Sequence, residues 1–269
     1  MKLGYIDYLN CYPFYHHMFT KKPLEGVDII SGYPNMLNRM ISSGELDMSP
    51  VSAATCADIS EEILVLPDFC LSSVGYISSV ILVSRVPIDD LHQKKIGITS
   101  ASHTSVVLLK ILMKNYYKIA PEFIPTDPMP KLEGIDAALV IGNEAMAFKP
   151  DRSHNIYDLG RLWLEQTGFP VVFAVFAVRK KVAEKYAGEI KNVISSYHKS
   201  LCYLLDKKKD LFSAADKKYP AISNDIETYY NLLQFEFTEN LKNALAFYYE
   251  KSGELGLTKK IAALDYLDI

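Results

Sequence analysis

Segments typical of strands and segments typical of helices alternate along most of the chain, and this alternation constrains the fold more than any other feature. Residues 27–31, with Val27, Ile29 and Ile30, have the β-branched content typical of a short strand. In Pro34–Ser43, which follows, Leu37 and Ile41 fall on one helical face and Gly44 supplies a stop. The same succession recurs further along the chain. Strands that alternate with helices predict an α/β fold with a mainly parallel sheet.

Two long apolar runs, residues 74–85 and 171–178, bracket the second set of strands and helices. We expect both to be strands that cross between two lobes. Lobe one would then comprise residues 1–85 plus 177–269, including a helical tail, and lobe two residues 86–176. The sequence thus predicts a two-lobed α/β protein with a cleft between the lobes. The alternative is one continuous sheet with additional helices at its C-terminal end.

Composition excludes several classes of function. The net charge is −3, so no strong positive field indicates binding to nucleic acid or to an acidic membrane. The four cysteines are far apart and form no CxxC pair, so they do not indicate a zinc or redox site. The sequence from Met1 lacks the pattern of a secretory signal, and no apolar run reaches the length of a membrane span. These features predict a soluble protein of the cytoplasm.

Common cofactor and catalytic motifs are also missing. The sequence contains no GxSxG turn of a serine hydrolase and no glycine-rich loop of the kinds that bind nucleotides. It has no HExxH motif, and its six histidines form no spaced cluster with cysteine. We therefore expect neither a metal ion nor an organic cofactor.

Small polar residues follow four of the predicted strands. They include Asn10 after the first strand, Ser52 after the third, and Asn143 after a strand of lobe two. Because ligands of parallel sheets collect outside the carboxyl ends of the strands, these residues are candidates for a binding site.

A turn rich in hydroxyl groups opens the first helix of lobe two and contains Ser102, Thr104 and Ser105. Free N–H groups at a helix start and flanking hydroxyls can hold a carboxylate without lysine or arginine. Ordinary capping of the helix by Ser102 or Thr104 is the alternative. Because a polar turn is predicted in each lobe, we favour a dicarboxylate held between the two.

Several segments, in one order along residues 1–180, resemble the chorismate dehydratase family. The opening resembles the family's Gly-x-Ile-x-Tyr/Phe-Leu-Asn-x-x-Pro motif, and further similar segments follow. They are residues 4–13, 44–52, 75–80, 102–105, 139–142, 158–163 and 167–174. Two positions depart from the family pattern: Asn143 stands where aspartate is expected, and Phe176 where tryptophan is usual.

The resemblance implies a type II periplasmic-binding-protein fold that has become an enzyme. It implies that chorismate loses water to give 3-(1-carboxyvinyloxy)benzoate, in the futalosine route to menaquinone, with no metal or organic cofactor. The ring proton beside the enol ether oxygen and the neighbouring hydroxyl leave, and the ring becomes aromatic. The sequence leaves open whether the protein is a monomer or a homodimer.

The resemblance and the polar turns together give a hypothesis for the site. Ser102, Thr104 and Ser105 would hold one carboxylate of chorismate. Ser52 and Asn143 would be further binding residues, and Asn10 and Ser79 would be catalytic, orienting the ring and the leaving hydroxyl. The base stays open between Asp7, Glu144 and the substrate's own side-chain carboxylate.

Two other functions are compatible with this fold. One is a solute-binding protein for a small anion. The other is the sister enzyme 1,4-dihydroxy-6-naphthoate synthase, whose first strand is followed by a turn like Cys-Pro-Asn-Asp-Thr. This chain instead has Leu9, Asn10, Cys11, Tyr12 and Pro13 at that place, which favours the dehydratase.

Overall fold

The structure is a computed structural model that describes residues 1–149, 151, 153–222 and 225–268. Its first strands and helices alternate as the sequence predicts. They are β1 (Lys2–Ile6), α1 (Tyr12–Thr20), β2 (Asp28–Gly32), α2 (Pro34–Ser43), β3 (Met48–Ser52), α3 (Ala53–Asp58) and β4 (Ile63–Ser73). The next set is β5 (Val80–Ser84), β6 (Lys95–Thr99), α4 (Thr104–Ile111), β7 (Glu122–Thr126), β8 (Ala137–Ile141), α5 (Gly142–Ala147), β9 (Asn155–Asp158) and α6 (Leu159–Thr167).

The C-terminal part contains one long strand, one short strand and five helices among the described residues. They are β10 (Val171–Arg179), α7 (Lys180–Ala183), α8 (Ala187–Asp206), α9 (Lys208–Lys218), α10 (Ile226–Asn231), β11 (Leu233–Glu236) and α11 (Glu239–Glu254). The tail was predicted to be almost entirely helical. β11 escapes sequence reasoning because four residues between two helical patterns carry too little periodicity to be recognised.

The strands form two separate sheets, as expected for two lobes. The first has the order β11-β4-β10-β3-β1-β2, and the second the order β7-β6-β8-β5-β9. β1 is parallel to β2 and β3, whereas β10 runs antiparallel to β3 and β4. In the second sheet β6 is parallel to β7 and β8, and β5 runs antiparallel to β8 and β9. The alternative of one continuous sheet is therefore wrong.

The chain changes sheets at other residues than predicted. Residues 74–85 were expected to form one strand of lobe one, but β5 pairs with β8 and β9 in the second sheet. The first crossing thus occupies residues 74–79. The return crossing is residues 168–170, since all of β10 pairs in the first sheet. An apolar run shows that a strand is buried but not which strand it pairs with, so the predicted boundaries at 85 and 176 came too late.

β10 lies at the centre of the first sheet, and this position explains its continuous apolar sequence. Its residues 171–178 are all buried, with helices packed on both faces of the strand. A strand covered on both sides has no solvent face and therefore shows a continuous apolar run instead of alternation. Phe176, the conservative departure from the family pattern, packs against Phe14 and Tyr197 at ring-centroid distances of 4.3 and 5.2 Å.

No helix among the described residues has both the length and the apolar character that crossing a bilayer requires. No group of three or more histidine, cysteine, aspartate or glutamate side chains there could hold a metal ion.

Candidate active site

A small cavity of about 50 Å³ lies between the two lobes. Larger open grooves exist on the outer surface, for example beside Tyr249 and Tyr266, but they do not lie between the sheets. Six of the seven predicted site residues line the interlobe cavity: Asn10, Ser52, Ser79, Ser102, Thr104 and Ser105. Its other walls are mainly apolar, and among the residues that the structure describes no lysine, arginine, histidine, aspartate or glutamate lines it. Charge on a ligand must therefore be met by neutral donors.

Asn10 lies in the turn that follows β1. Two hydrogen bonds fix the neighbouring Leu9: its N–H donates to Asn143 Oδ1 at 2.9 Å, and its carbonyl accepts from the Tyr230 hydroxyl at 3.0 Å. The amide oxygen of Asn10 is buried and has no hydrogen-bond partner among the described residues. Leaving a buried acceptor without a partner costs about 1–3 kcal/mol. Asn10 is therefore placed in the cavity with an acceptor available to a ligand.

Ser79 lies at the end of the first crossing, just before β5. The Asp158 carboxylate holds this crossing by accepting from the N–H groups of Ile77 and Ser78, at 3.1 and 2.6 Å. Ser78 itself has a φ of 65°. The Ser79 hydroxyl accepts a hydrogen bond from the Tyr229 hydroxyl at 2.9 Å. Its own proton is then left to point toward another acceptor.

Ser52 is held at the end of β3 by Asn38, a buried residue of α2. Ser52 N–H donates to Asn38 Oδ1 at 3.0 Å, and Asn38 Nδ2 donates to Ser52 Oγ at 2.8 Å. The Ser52 hydroxyl thus accepts from Asn38 and retains its own proton for a ligand in the cavity.

The turn before α4 presents backbone and hydroxyl donors from lobe two. Ser105 N–H donates to Ser102 Oγ at 3.2 Å, which is the capping arrangement that the sequence allowed as an alternative. Both side chains nevertheless line the cavity. The start of α4 also brings partial positive charge to this wall.

Thr104 has another role than the one predicted. Its hydroxyl donates to the Phe173 carbonyl of β10 at 2.9 Å and accepts from Ala54 N–H of α3 at 3.2 Å. Its proton is therefore already committed to lobe one and is not available to a ligand carboxylate in this arrangement. Thr104 joins the two lobes at the cavity wall.

Asn143 was predicted to bind substrate, but it is not among the residues that line the cavity. Its side-chain oxygen instead accepts the Leu9 N–H across the lobes. The preceding Gly142 has a φ of 63° and lies against Tyr8, where an added Cβ would come within 2.5 Å of the ring. The Asn143 side chain is thus engaged with Leu9 of lobe one, next to the cavity wall that Tyr8 and Gly142 form.

Neither acidic candidate for the base lines the cavity. The Asp7 carboxylate accepts from the Tyr219 hydroxyl at 2.8 Å and pairs with Lys218 at 3.0 Å. Glu144 accepts from the Tyr33 hydroxyl at 3.2 Å, which places it at another contact between the lobes. Glu144 and burial both raise the pKa of the Tyr8 hydroxyl, burial being the larger cause, so Tyr8 stays protonated.

Sequence reasoning missed two residues behind the site, Asn38 and Tyr229. Asn38 falls between Leu37 and Ile41 on the buried face of α2, and a polar residue on an apolar face is a signal that could have been used. Tyr229 is one of many aromatic residues in the helical tail, which indicated only core packing. The sequence carries no signal that brings it to Ser79.

Comparisons with known proteins agree with this architecture. A family model described as menaquinone biosynthesis matches residues 1–254. Chorismate dehydratase of Thermus thermophilus is 31% identical over 66% of this chain and 70% of its own length. A 1,4-dihydroxy-6-naphthoate synthase of the same organism is 20% identical over 82% of this chain and 81% of its own length.

Solved structures share the fold at lower identity. A protein of Archaeoglobus fulgidus superposes with a TM-score of 0.75 and 19% identity, over 95% of this chain and 97% of its own. The periplasmic aliphatic sulphonate binding protein of Escherichia coli superposes with a TM-score of 0.67 and 12% identity, over 100% and 94%. The predicted periplasmic-binding-protein-like fold is thereby confirmed.

Proposed function

The chain belongs to the menaquinone biosynthesis family, and we propose that within this family it is a hydro-lyase that converts chorismate to 3-(1-carboxyvinyloxy)benzoate and water. The similarity to a chorismate dehydratase, at 31% identity, supports this reaction over that of the sister enzyme, for which the identity is 20%. We further propose that it acts in the cytoplasm, as a monomer or a homodimer, and without a metal or organic cofactor.

One observation carries the proposal: the cavity between the lobes is lined by neutral polar groups from both lobes, with apolar walls between them. Chorismate has two carboxylates joined by an apolar ring system. The start of α4, with Ser102 and Ser105, would bind one carboxylate from lobe two. Ser52 would contact the ligand from lobe one. The apolar walls exclude water and so strengthen each of these hydrogen bonds.

Asn10 and Ser79 would act at the reacting part of the ring. In the reaction a ring C–H bond and the neighbouring C–O bond break, a ring double bond forms, and the proton and the hydroxide leave together as water. The Ser79 hydroxyl accepts from Tyr229, so its own O–H can donate a hydrogen bond to the leaving hydroxyl and stabilise the charge that develops there. Ser79 keeps its proton, and the ring proton completes the water that leaves. Asn10, with its buried amide oxygen, would orient the ring so that the proton and the hydroxyl lie in the geometry for elimination.

The direct test is incubation of the purified protein with chorismate. We expect chorismate to disappear and a single product lighter by one water to form, with the aromatic proton spectrum of a 3-substituted benzoate. Heat-inactivated protein and a Ser79→Ala variant are the controls. Binding of chorismate without any loss of water would leave a small-anion binding protein, and no binding or turnover would point to the sister enzyme.

The base is best assigned to the substrate's side-chain carboxylate, since the described cavity lining contains no carboxylate of its own. The variants Asp7→Asn and Glu144→Gln should then each retain turnover within about tenfold of wild type, because neither contacts the ring proton. The measurement is kcat on chorismate, together with the unfolding midpoint of each variant. Loss of all turnover in either variant with an intact fold would assign the base to that residue instead.

A further inference from the structure

Tyr229 lies directly behind the candidate site without lining the cavity. It belongs to α10 in the C-terminal part of the chain, yet its hydroxyl donates to Ser79 Oγ at 2.9 Å. The residue is 2% exposed and Ser79 is fully buried, so water does not compete for this hydrogen bond. A buried hydrogen bond of this kind directs the Tyr229 proton to Ser79 Oγ and leaves the Ser79 proton free for another acceptor.

The protonation state of Tyr229 is fixed as well. Burial raises the pKa of its hydroxyl above the ordinary value of 10.0, and the contacts with Ser79 and Asn10 oppose this rise only in part. The group therefore stays a neutral phenol, and hence a donor, at neutral pH.

We infer that Tyr229 is a positioning residue for the dehydration, which it supports by aiming the Ser79 proton into the cavity. With Tyr229 as the donor, Ser79 Oγ is the acceptor of that bond, and the Ser79 proton must turn away from Tyr229. Ser79 lines the cavity and Tyr229 does not, and in the cavity the leaving hydroxyl of chorismate would accept a hydrogen bond from this proton. Without Tyr229 the Ser79 hydroxyl could rotate among its staggered positions, and only one of these is productive.

This inference rests on the proposed function, and it predicts a specific kinetic change. Tyr229→Phe removes one oxygen and leaves the ring that fills the core. We expect kcat on chorismate to fall about tenfold, as for the loss of one orienting hydrogen bond, with KM changed by less than about twofold. KM should hold because Tyr229 does not contact the substrate.

Tyr197→Phe is the matched control. Tyr197 is also fully buried, and its hydroxyl donates to Tyr15 at 2.8 Å in the core of the first lobe, away from the cavity lining. We expect this variant to lose a similar amount of stability in thermal unfolding while kcat stays within about twofold of wild type. The pair separates an effect on Ser79 from a general loss of core stability.

A second substitution tests the donor itself. p-Aminophenylalanine, introduced at position 229 by suppression of a stop codon, restores a polar N–H donor at about the place of the phenol. We expect it to recover kcat to within about threefold of wild type. Should Tyr229→Phe fail to fold, this variant still tests whether a donor at position 229 is needed for turnover.

The outcomes separate this inference from the proposed function. If the wild-type protein does not dehydrate chorismate, the proposed function fails first. If the wild type is active and Tyr229→Phe keeps its kcat, or loses it no more than Tyr197→Phe, the positioning role is wrong. A low kcat in the p-aminophenylalanine protein with a normal melting curve would overturn it too.

Discussion

At the scale of single residues, the candidate site consists of neutral groups whose hydrogen-bond partners are largely fixed by the protein. Ser52 accepts from Asn38, Ser79 accepts from Tyr229, and Ser102 accepts from Ser105 N–H. Each of these hydroxyls thus has its accepting role filled and a proton left over. Such a site offers donors, which suits a doubly negative ligand better than a cation.

Asn10 departs from this rule because its buried amide oxygen has no partner among the described residues. We predict that Asn10→Ala lowers kcat on chorismate by about 100-fold. Stability should change by less than about 1 kcal/mol, since the variant also removes an unsatisfied acceptor. Steady-state kinetics and urea unfolding of the same preparation measure both quantities.

A matched substitution outside the cavity is Asn192→Ala, at an exposed position of α8 in the first lobe. Its turnover should stay near that of wild type. Equal loss of activity in both variants, or an Asn10→Ala protein with wild-type turnover, would remove Asn10 from the site.

At the scale of strands and helices, the first crossing between the lobes is the element that places Ser79. Asp158, the first residue of the Asp-Leu-Gly motif, accepts hydrogen bonds from Ile77 and Ser78 N–H and also caps α6 through Arg161 N–H at 2.9 Å. Burial raises the pKa of Asp158, and the backbone donors oppose this rise. The motif therefore has a structural role next to the site and no direct contact with a ligand.

We predict that Asp158→Asn destabilises the protein by about 2 kcal/mol, because one of the two acceptor oxygens becomes an NH₂ group facing backbone donors. Turnover should fall as well, since the crossing carries Ser79. Urea unfolding measures the first effect and kcat the second. Asp47→Asn serves as control: its carboxylate accepts Lys2 N–H at an exposed position, and it should cost less than about 1 kcal/mol. A wild-type unfolding curve for Asp158→Asn would contradict the assigned role.

Most strands and helices were predictable from local pattern, and α2 has the bounds that the sequence predicts. The errors concern pairing. The run 74–85 reads as one strand, but its first part is the crossing, and only Val80–Ser84 pairs in a sheet. Which sheet a buried strand joins is decided by contacts far along the chain, and a local pattern contains no information about them.

The same limit applies to the site. Residues at strand ends were found because the geometry of parallel sheets brings those ends together. Six of the seven share the cavity, although their proposed roles stay predictions. Tyr229 approaches Ser79 from a helix 150 residues later, and the sequence offers no means of pairing the two. Thr104 and Asn143 were predicted to contact the ligand. A polar residue at a strand end can bind either a ligand or the other lobe, and the sequence does not distinguish the two cases.

At the scale of the whole molecule, side chains join the lobes around the cavity. They include Thr104 to Phe173 and Ala54, Asn143 to Leu9, Tyr33 to Glu144, and Thr55 to His103. Each contact alone stabilises the closed cleft by little free energy, but together they favour it. Entry of a substrate must break several of them, so we expect opening and closing to influence turnover.

His103 gives one of these contacts a dependence on pH. Its Nδ1 lies 2.9 Å from Thr55 Oγ1, and burial, aided by Lys110 and opposed by Asp58, lowers its pKa below the ordinary value of 6.5. A lowered pKa in the folded state means that the stabilising contribution is present above the unfolded value and is lost as pH falls through the folded value. We therefore predict that stability decreases on acidification below 6.5.

The decrease in stability on acidification should be smaller in His103→Gln, because glutamine does not titrate. Urea unfolding of both proteins from neutral to mildly acidic pH measures it. His16 and His17 also have a lowered pKa, so a residual slope is expected in the variant. If the free energy of unfolding depends on pH in the same way in both proteins, His103 does not contribute to the loss of stability in acid.

Substitutions of Asn143 test whether asparagine in place of the family's aspartate affects closure of the lobes. An aspartate at this place would also offer an oxygen to Leu9 N–H, and near the start of α5 its charge is favourable. Asn143→Asp should therefore keep kcat and KM within about threefold of wild type, whereas Asn143→Leu should raise KM about tenfold, because the closed state loses an interlobe bond and Leu9 N–H loses its partner. Small-angle scattering with and without ligand should show the leucine variant more open. If Asn143→Leu binds as well as wild type, the lobes do not depend on this contact, and closure must be attributed to Thr104 and its two partners.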